Sequence, residues 1–233
     1  MQFGVIIATK IDDWQIIPYA ESLGYHRAWV PDSQMIWSDC YAVLALAAQH
    51  TKRIHLGTGV AIPGTRIAPV TAHSIASIQQ LAPGRAFLGI GTGHTAMRVM
   101  GMDPMPLKEF REYLRVVRSL LRGEEVDYTQ GGVTRSIRFL HLDHGFINLR
   151  DPIPIYVAAN GPLALRAVGA FGDGLMSVNN DQPAMLRSQL ELVRAGAAKV
   201  GRSLPEDFHT ACLTTAVVLE PGERVDSYRV IEV

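Results

Sequence analysis

The sequence predicts a parallel α/β barrel of the TIM (β/α)8 type, incomplete towards its carboxyl end. Three observations carry that prediction. Short continuous apolar runs alternate with segments of helical periodicity, as expected for parallel strands buried on both faces and joined by crossover helices. Glycines gather where the apolar runs stop, most densely at Gly89-Ile90-Gly91-Thr92-Gly93. The last candidate strand is the seventh, one short of the eight that close such a barrel. Either the barrel is incomplete here or a tail has been lost.

Taken in order, the expected strands are Phe3–Ala8, Arg27–Pro31, Ile54–Val60, Ala86–Ile90, Ile153–Ala158, Gly174–Val178 and Ala211–Leu219. Pro18 sits within the first helical stretch and would kink or restart it. Ser38 is placed to cap a helix whose Cys40, Val43, Leu44 and Ala47 share one face. Ile67, Val70, Ile75, Ile78 and Leu81 mark the next helix, which stops at Pro83-Gly84. Pro106 opens a third, with Phe110, Leu114, Val117 and Leu121 facing inward and Gly123 ending it. The segment 124–152 breaks the alternation. Its Gly131-Gly132 pair, flanked by Val126, Tyr128, Ile137 and Phe139, predicts an inserted hairpin.

Composition narrows the function. The 233 residues are 48% apolar, enough for a sizeable core, and carry 22 basic and 22 acidic side chains without a long run of either sign. That balance argues against nucleic acid or an anionic membrane as the main partner. No uncharged apolar run reaches bilayer-spanning length. Two distant cysteines, Cys40 and Cys212, form neither a disulfide framework nor a zinc motif, and no metal site is expected. The opening MQFGVIIATK has no secretory features, so the cytoplasm is the expected compartment.

In a barrel, ligands bind at the carboxyl ends of the strands. The residues just past those ends are Thr9 and Lys10, Asp32, Ser33 and Trp37, Gly59 and Val60, Gly91 to His94, Asn160-Gly161-Pro162, and Ser177 to Asn179. The set is polar and glycine-rich around a few aromatic and apolar groups, which suits a ring system carrying phosphate. Glycines let the backbone approach a ligand, and helix starts offer N–H groups to an anion. GIGTG would also fit a nucleotide-type methyltransferase, but that fold wants the glycine turn after its first strand. Here it follows the fourth.

The blocks GYHRAWVPDSQMIW (24–37), IHLGTGVAIPGTRIAPVTAHSIASIQQLAPGRAFLGIGTGHTAMRVMG (54–101) and IPIYVAANGPLALRAVGAFGDGLMSV (153–178) resemble the luciferase-like oxidoreductases, which use FMN or the deazaflavin coenzyme F420. The resemblance covers nearly the whole chain and implies a single barrel domain over 1–233. It places Asp32, Ser33 and Trp37 beside the cofactor ring. It puts Gly59-Val60 at a strand bulge that often carries a non-proline cis peptide. Thr92, Gly93 and His94 fall near the ring and its side chain. Ala158, Ala159, Asn160 and Gly161, with Ser177, Val178 and Asn179, match the phosphate end. Relatives acting on sugar phosphates carry His where this chain has Ser33 and Glu where it has His94, which counts against a sugar-phosphate substrate.

His94 is the leading acid or base, because imidazole titrates near neutrality. Asp32 is the second catalytic candidate, with a loop-capping role as its structural alternative. Arg66 and Arg98 are possible anion clamps, though arginines near a helix start are more often solvated or paired. The methionines Met97, Met100, Met102 and Met105 are expected to fill core gaps. The resulting expectation is a flavin-type oxidoreductase acting on a small organic substrate. With reduced FMN it would be a monooxygenase served by a separate flavin reductase; with F420 it would transfer hydride. A non-catalytic flavin-binding protein with a shortened barrel is the alternative. By analogy with relatives, a homodimer is expected.

Overall fold

The structure is a computed structural model that describes residues 1–178, 182–206 and 208–231. In chain order its elements are β1 (Gly4–Ile6), α1 (Ile16–Ser22), β2 (Arg27–Val30), α2 (Cys40–His50), β3 (His55–Thr58), α3 (Ala68–Leu81) and β4 (Ala86–Ile90). There follow α4 (His94–Val99), α5 (Leu107–Leu121), β5 (Val126–Gln130), β6 (Val133–Ile137), β7 (Ile155–Ala158), α6 (Pro162–Phe171), β8 (Gly174–Ser177), α7 (Pro183–Lys199), β9 (His209–Cys212) and α8 (Tyr228–Ile231). Seven strands form one sheet in the order β1-β2-β3-β4-β7-β8-β9, and every neighbouring pair is parallel. β5 and β6 make a separate antiparallel hairpin through Gly131-Gly132. Among the described residues no pairing joins β9 back to β1, so the sheet is a TIM-like barrel left open by one gap.

The outward faces of the strands carry Ala28, Val30, Leu56, Leu88, Ile90, Ile155, Val157 and Leu175, all fully or almost fully buried beneath the helices. α2 contributes Cys40, Val43, Leu44 and Ala47, the expected face. The expected inward residues of α5 are buried as well, and Gly123 follows its end at φ +72°. Pro18 lies in the first turn of α1, where its missing N–H has no helical acceptor to lose. A separate turn at Ile11–Asp13 precedes it, so the helix does restart.

Three local expectations are corrected. The cap of α2 is Asp39, whose carboxylate accepts from the Tyr41 and Ala42 N–H groups at 2.9 and 3.0 Å. Ser38 instead accepts from the Ile11 N–H, at 3.0 Å. A carboxylate one residue nearer the helix meets its first-turn donors directly. In α3 the apolar residues Ile67, Val70 and Leu81 are substantially exposed, while Thr71, Ala72, Ala76 and Gln79 are buried. Small and hydrogen-bonded groups let α3 approach its neighbours: Thr71 Oγ1 lies 2.6 Å from Tyr113 Oη, and Gln79 Oε1 accepts from the Ala86 N–H at 2.8 Å. The last strand spans His209–Cys212 rather than Ala211–Leu219, because its partner β8 offers only Gly174–Ser177 for pairing.

The inner face is filled differently. Trp29, Phe87 and Tyr156 form an aromatic cluster inside the barrel, with ring centroids 4.4 to 5.7 Å apart. Glycines on adjacent strands make room for it. A Cβ at Gly57 would overlap the Phe87 ring, and one at Gly59 would lie 2.7 Å from Trp29 Cβ. This plug floors the space onto which the strand ends open.

Candidate active site at the carboxyl ends of the strands

The site is assembled from loops that leave consecutive strands. After β3 the chain passes through a cis peptide between Gly59 and Val60, as the resemblance implied. The ladder holds the segment on both sides. Gly59 N–H donates to Val30 on β2 at 2.8 Å, and Ala61 N–H donates to Gly89 on β4 at 2.7 Å. Thr58 Oγ1 also donates to the Gly89 carbonyl, at 2.6 Å. Val60 therefore sits at the rim between two fixed points. A Cβ at Gly91 would come 3.1 Å from Val60 Cγ2 and 3.4 Å from Ala158 Cβ. Three strand ends thus converge on a small, apolar, glycine-floored shelf.

Asp32 is buried at the end of β2 and lies inside a polar clamp. Arg66 Nη1 donates to both of its carboxylate oxygens at 2.7 Å, Gln34 Nε2 donates at 2.6 Å, and the Ile62 N–H donates at 3.3 Å. Arg66 Nη2 also reaches Asp39 at 2.9 Å, and its guanidinium lies 4.9 Å from the Tyr41 ring centroid. The Tyr113 hydroxyl donates to the Arg66 carbonyl at 2.8 Å. Burial works against the Arg66 charge, but the hydrogen bonds and the charge of Asp32 outweigh it and raise its pKa. Burial, then the Asp32 charge, pushes the Cys40 thiol far up, so Cys40 is an inert core group. The clamp ties the β2 loop, the loop after β3 and the start of α2 together. Arg66 is thus paired internally, the bland alternative for an arginine at this position.

Ser33 follows Asp32 and accepts at its carbonyl from the Ile36 and Trp37 N–H groups at 3.2 and 3.0 Å, closing a turn that leaves Trp37 partly exposed. Gly93, at φ +86°, and Thr92 are half-buried and lead into α4, whose first residue, His94, is exposed. Met97 is buried against Ile62 and beside Gly93, which fits the expected gap-filling role. Ala158 and Ala159 line the end of β7, while Asn160 and Gly161 are exposed at the start of α6. Gly161 caps α6 without a side-chain hydrogen bond, and Leu165 N–H makes the first bond back to the Gly161 carbonyl. The Leu163 and Ala164 N–H groups therefore face outward without helical acceptors. Ser177 is buried, its hydroxyl donating to Gln189 Oε1 at 2.9 Å, so it braces α7; Val178 beyond it is exposed. Asn179 lies outside the described residues.

Three buried side-chain atoms at this end, Thr9 Oγ1, Gln34 Oε1 and Tyr41 Oη, have no hydrogen-bond partner among the described residues. Orphaned polar groups beside a glycine-lined shelf and a free helix start suit a polar ring that carries an anionic tail. Among the described residues no group of three or more His, Cys, Asp or Glu could hold a metal.

The family model described as Luciferase-like monooxygenase matches residues 13–229. The chain belongs to that family. A 5,10-methylenetetrahydromethanopterin reductase of Methanolobus tindarius is 34% identical over 211 residues, covering 88% of this chain and 62% of the relative. An F420-dependent glucose-6-phosphate dehydrogenase of Intrasporangium calvum is 32% identical over 222 residues, covering 90% and 66%. The solved coenzyme F420-dependent tetrahydromethanopterin reductase of Methanopyrus kandleri superposes with a TM-score of 0.72 at 27% identity, over 91% of this chain and 65% of that one. The luciferase-like chain thus spans about three fifths to two thirds of the relatives it matches. No helix among the described residues is long and apolar enough to cross a membrane.

Sequence reasoning missed the clamp's second half and the aromatic plug. The plug had a signal: a large ring at Trp29 or Phe87 set against Gly57 and Gly89 on adjoining strands. The clamp had none, since Asp32 and Arg66 are far apart in the chain.

Proposed function

We propose that the luciferase-like chain is an F420-dependent oxidoreductase that moves hydride to or from a carbonyl or imine carbon of a small organic substrate. The supporting observation is that relatives above 30% identity include named F420-dependent dehydrogenases and methylenetetrahydromethanopterin reductases. The likeness to an FMN-bound monooxygenase structure, at 20% identity, speaks to fold alone. The deazaflavin, when bound, supplies or accepts the hydride at its ring. The chain's own part is to hold and shield that ring. Val60, Gly91 and Ala158, which converge at the strand ends, would hold the ring together with Trp37, Ser33, Thr92 and Gly93 from the neighbouring loops. The Leu163 and Ala164 N–H groups, with Asn160, receive the phosphate. His94 holds or releases the substrate proton at an imidazole nitrogen. Asp32, engaged by Arg66, positions the loops rather than touching substrate.

Fluorescence titration with F420 and with FMN tests the reading. Micromolar or tighter binding of F420 with at least tenfold weaker FMN supports it; preference for FMN overturns it. The His94→Ala variant is expected to bind F420 within about threefold of the parent and to lose 10²–10⁴-fold in turnover. Unchanged turnover removes His94 from the chemistry.

A further inference from the structure

We propose that a basic cavity on the outer helical layer receives an oligocarboxylate chain, and that this chain is the anionic tail of the same cofactor. The inference rests on the cofactor reading above. A cavity of about 300 Å³ lies between α5, α6 and the end of α7, lined by Arg111, Arg166 and Lys199 around an apolar floor that includes Leu163 and Val200. None of the three cations has an ion-pair partner among the described residues. Arg111 is engaged only weakly, its guanidinium 6.0 Å from the Phe171 ring centroid. Several neighbouring arginines are neutralised, since Arg118 and Arg202 share Asp173 and Arg115 takes Glu112, whereas the three cations of this hollow converge without an acid among the residues that line it. Three unneutralised cations around one hollow, in a chain of zero formal charge, raise the local potential for an anion.

The position of the cavity selects the ligand. Leu163 and Arg166 belong to α6, whose uncapped start at Gly161 is where the cofactor phosphate is read to sit. Arg166 is five residues further on, about 7.5 Å along the helix axis. A chain leaving the phosphate therefore meets Leu163 and then Arg166 within its first residues. F420 carries an oligo-γ-glutamate chain beyond its phosphate, whereas FMN ends there. Gly196 lets α7 lie against the Arg166 backbone, which brings Lys199 to the same hollow.

The test compares F420 bearing five glutamates with the form that ends at the phospholactyl group, at low and high salt. The tailed form is expected to bind about tenfold tighter at 50 mM salt. The gain should shrink towards twofold at 500 mM, where screening is strong. It should also vanish in the exposed charge reversals Arg166→Glu and Lys199→Glu, while the tail-less form binds these variants as it binds the parent. Equal binding of the two forms, or a gain kept in both variants, overturns the tail site and leaves the cofactor reading standing. Binding of neither form overturns the cofactor reading and the tail site with it.

Discussion

Asp32 and Arg66 hold the loops of the candidate site in register, and the pair is worth most where it is least exposed. Asp32 is 2% exposed and Arg66 15%, so truncating Arg66 strands a carboxylate in the interior. Removing one partner of such a pair typically costs about 3–5 kcal/mol, more than the pair itself contributes. Arg66→Met should lower the urea-unfolding free energy by about 3 kcal/mol. Arg66→Lys should recover only part of this, because an ammonium cannot span both oxygens of Asp32 and reach Asp39 as well. Asp32→Asn should cost less than Arg66→Met, since an arginine with Asp39 and the Tyr41 ring still has partners. An Asp32→Asn protein as stable and as tight for cofactor as the parent would deny the clamp its role.

At the scale of elements, the apolar runs that predicted the five central strands supply the residues now buried on the outer face of the sheet, whereas the first and last runs leave Phe3, Ile6, Val218 and Leu219 exposed. The reason is physical: a strand buried on both sides tolerates few polar residues, so its sequence announces itself. Boundaries were less legible. β3 stops at Thr58 because the chain turns at Gly59-Val60, and β9 stops where β8 gives it no further partner. Both endings are tertiary facts that a local pattern does not carry. The candidate site was legible as a set of strand ends, through topology and resemblance. The pairing of Asp32 with Arg66, and of Ser177 with Gln189, was not, because each joins residues distant in the chain. Close backbone approach makes the element-scale prediction. A Cβ at Gly89 would overlap the Thr58 carbonyl oxygen, and one at Gly169 would overlap the Val193 carbonyl of α7. Gly89→Ala and Gly169→Ala should each destabilise by about 1–3 kcal/mol, and Gly89→Ala should also weaken cofactor binding by lifting the end of β3. Gly131→Ala, with open space around it at φ +58°, should cost only about 1 kcal/mol. Urea midpoints for the three variants check the order.

Across the whole molecule the two ends of the sheet carry different chemistry. The carboxyl end is glycine-rich and open, whereas the amino end gathers Arg27 and His209 around Tyr156, with His55 opposite Arg27 on the adjoining strand. His209 lies 4.6 Å from the Tyr156 ring centroid and Arg27 6.0 Å. Burial, then the Arg27 charge, pulls the His209 pKa down to about 4. Burial, followed by the charges of Arg27, Arg85 and His26, lowers that of His55. An unfolded histidine titrates near 6.5, so from that pH down towards 4 the unfolded chain binds protons that the folded chain refuses. The unfolding free energy must then fall as pH falls through this window, and it is fully present above it. The half-buried rings are partly screened by solvent, so the loss is expected to be about 1–2 kcal/mol. Carboxylates such as Glu21, whose pKa is lowered because the Lys52, Arg53 and Ile54 N–H groups outweigh burial, lose their contribution only below their unfolded value. The span from pH 6.5 to 5 therefore isolates the histidines. Urea denaturation at pH 7.5, 6 and 5 should show the decline in the parent and a shallower one in His209→Gln, which carries no titratable group at that position. A decline of equal slope in both proteins would move the acid sensitivity away from the floor of the barrel.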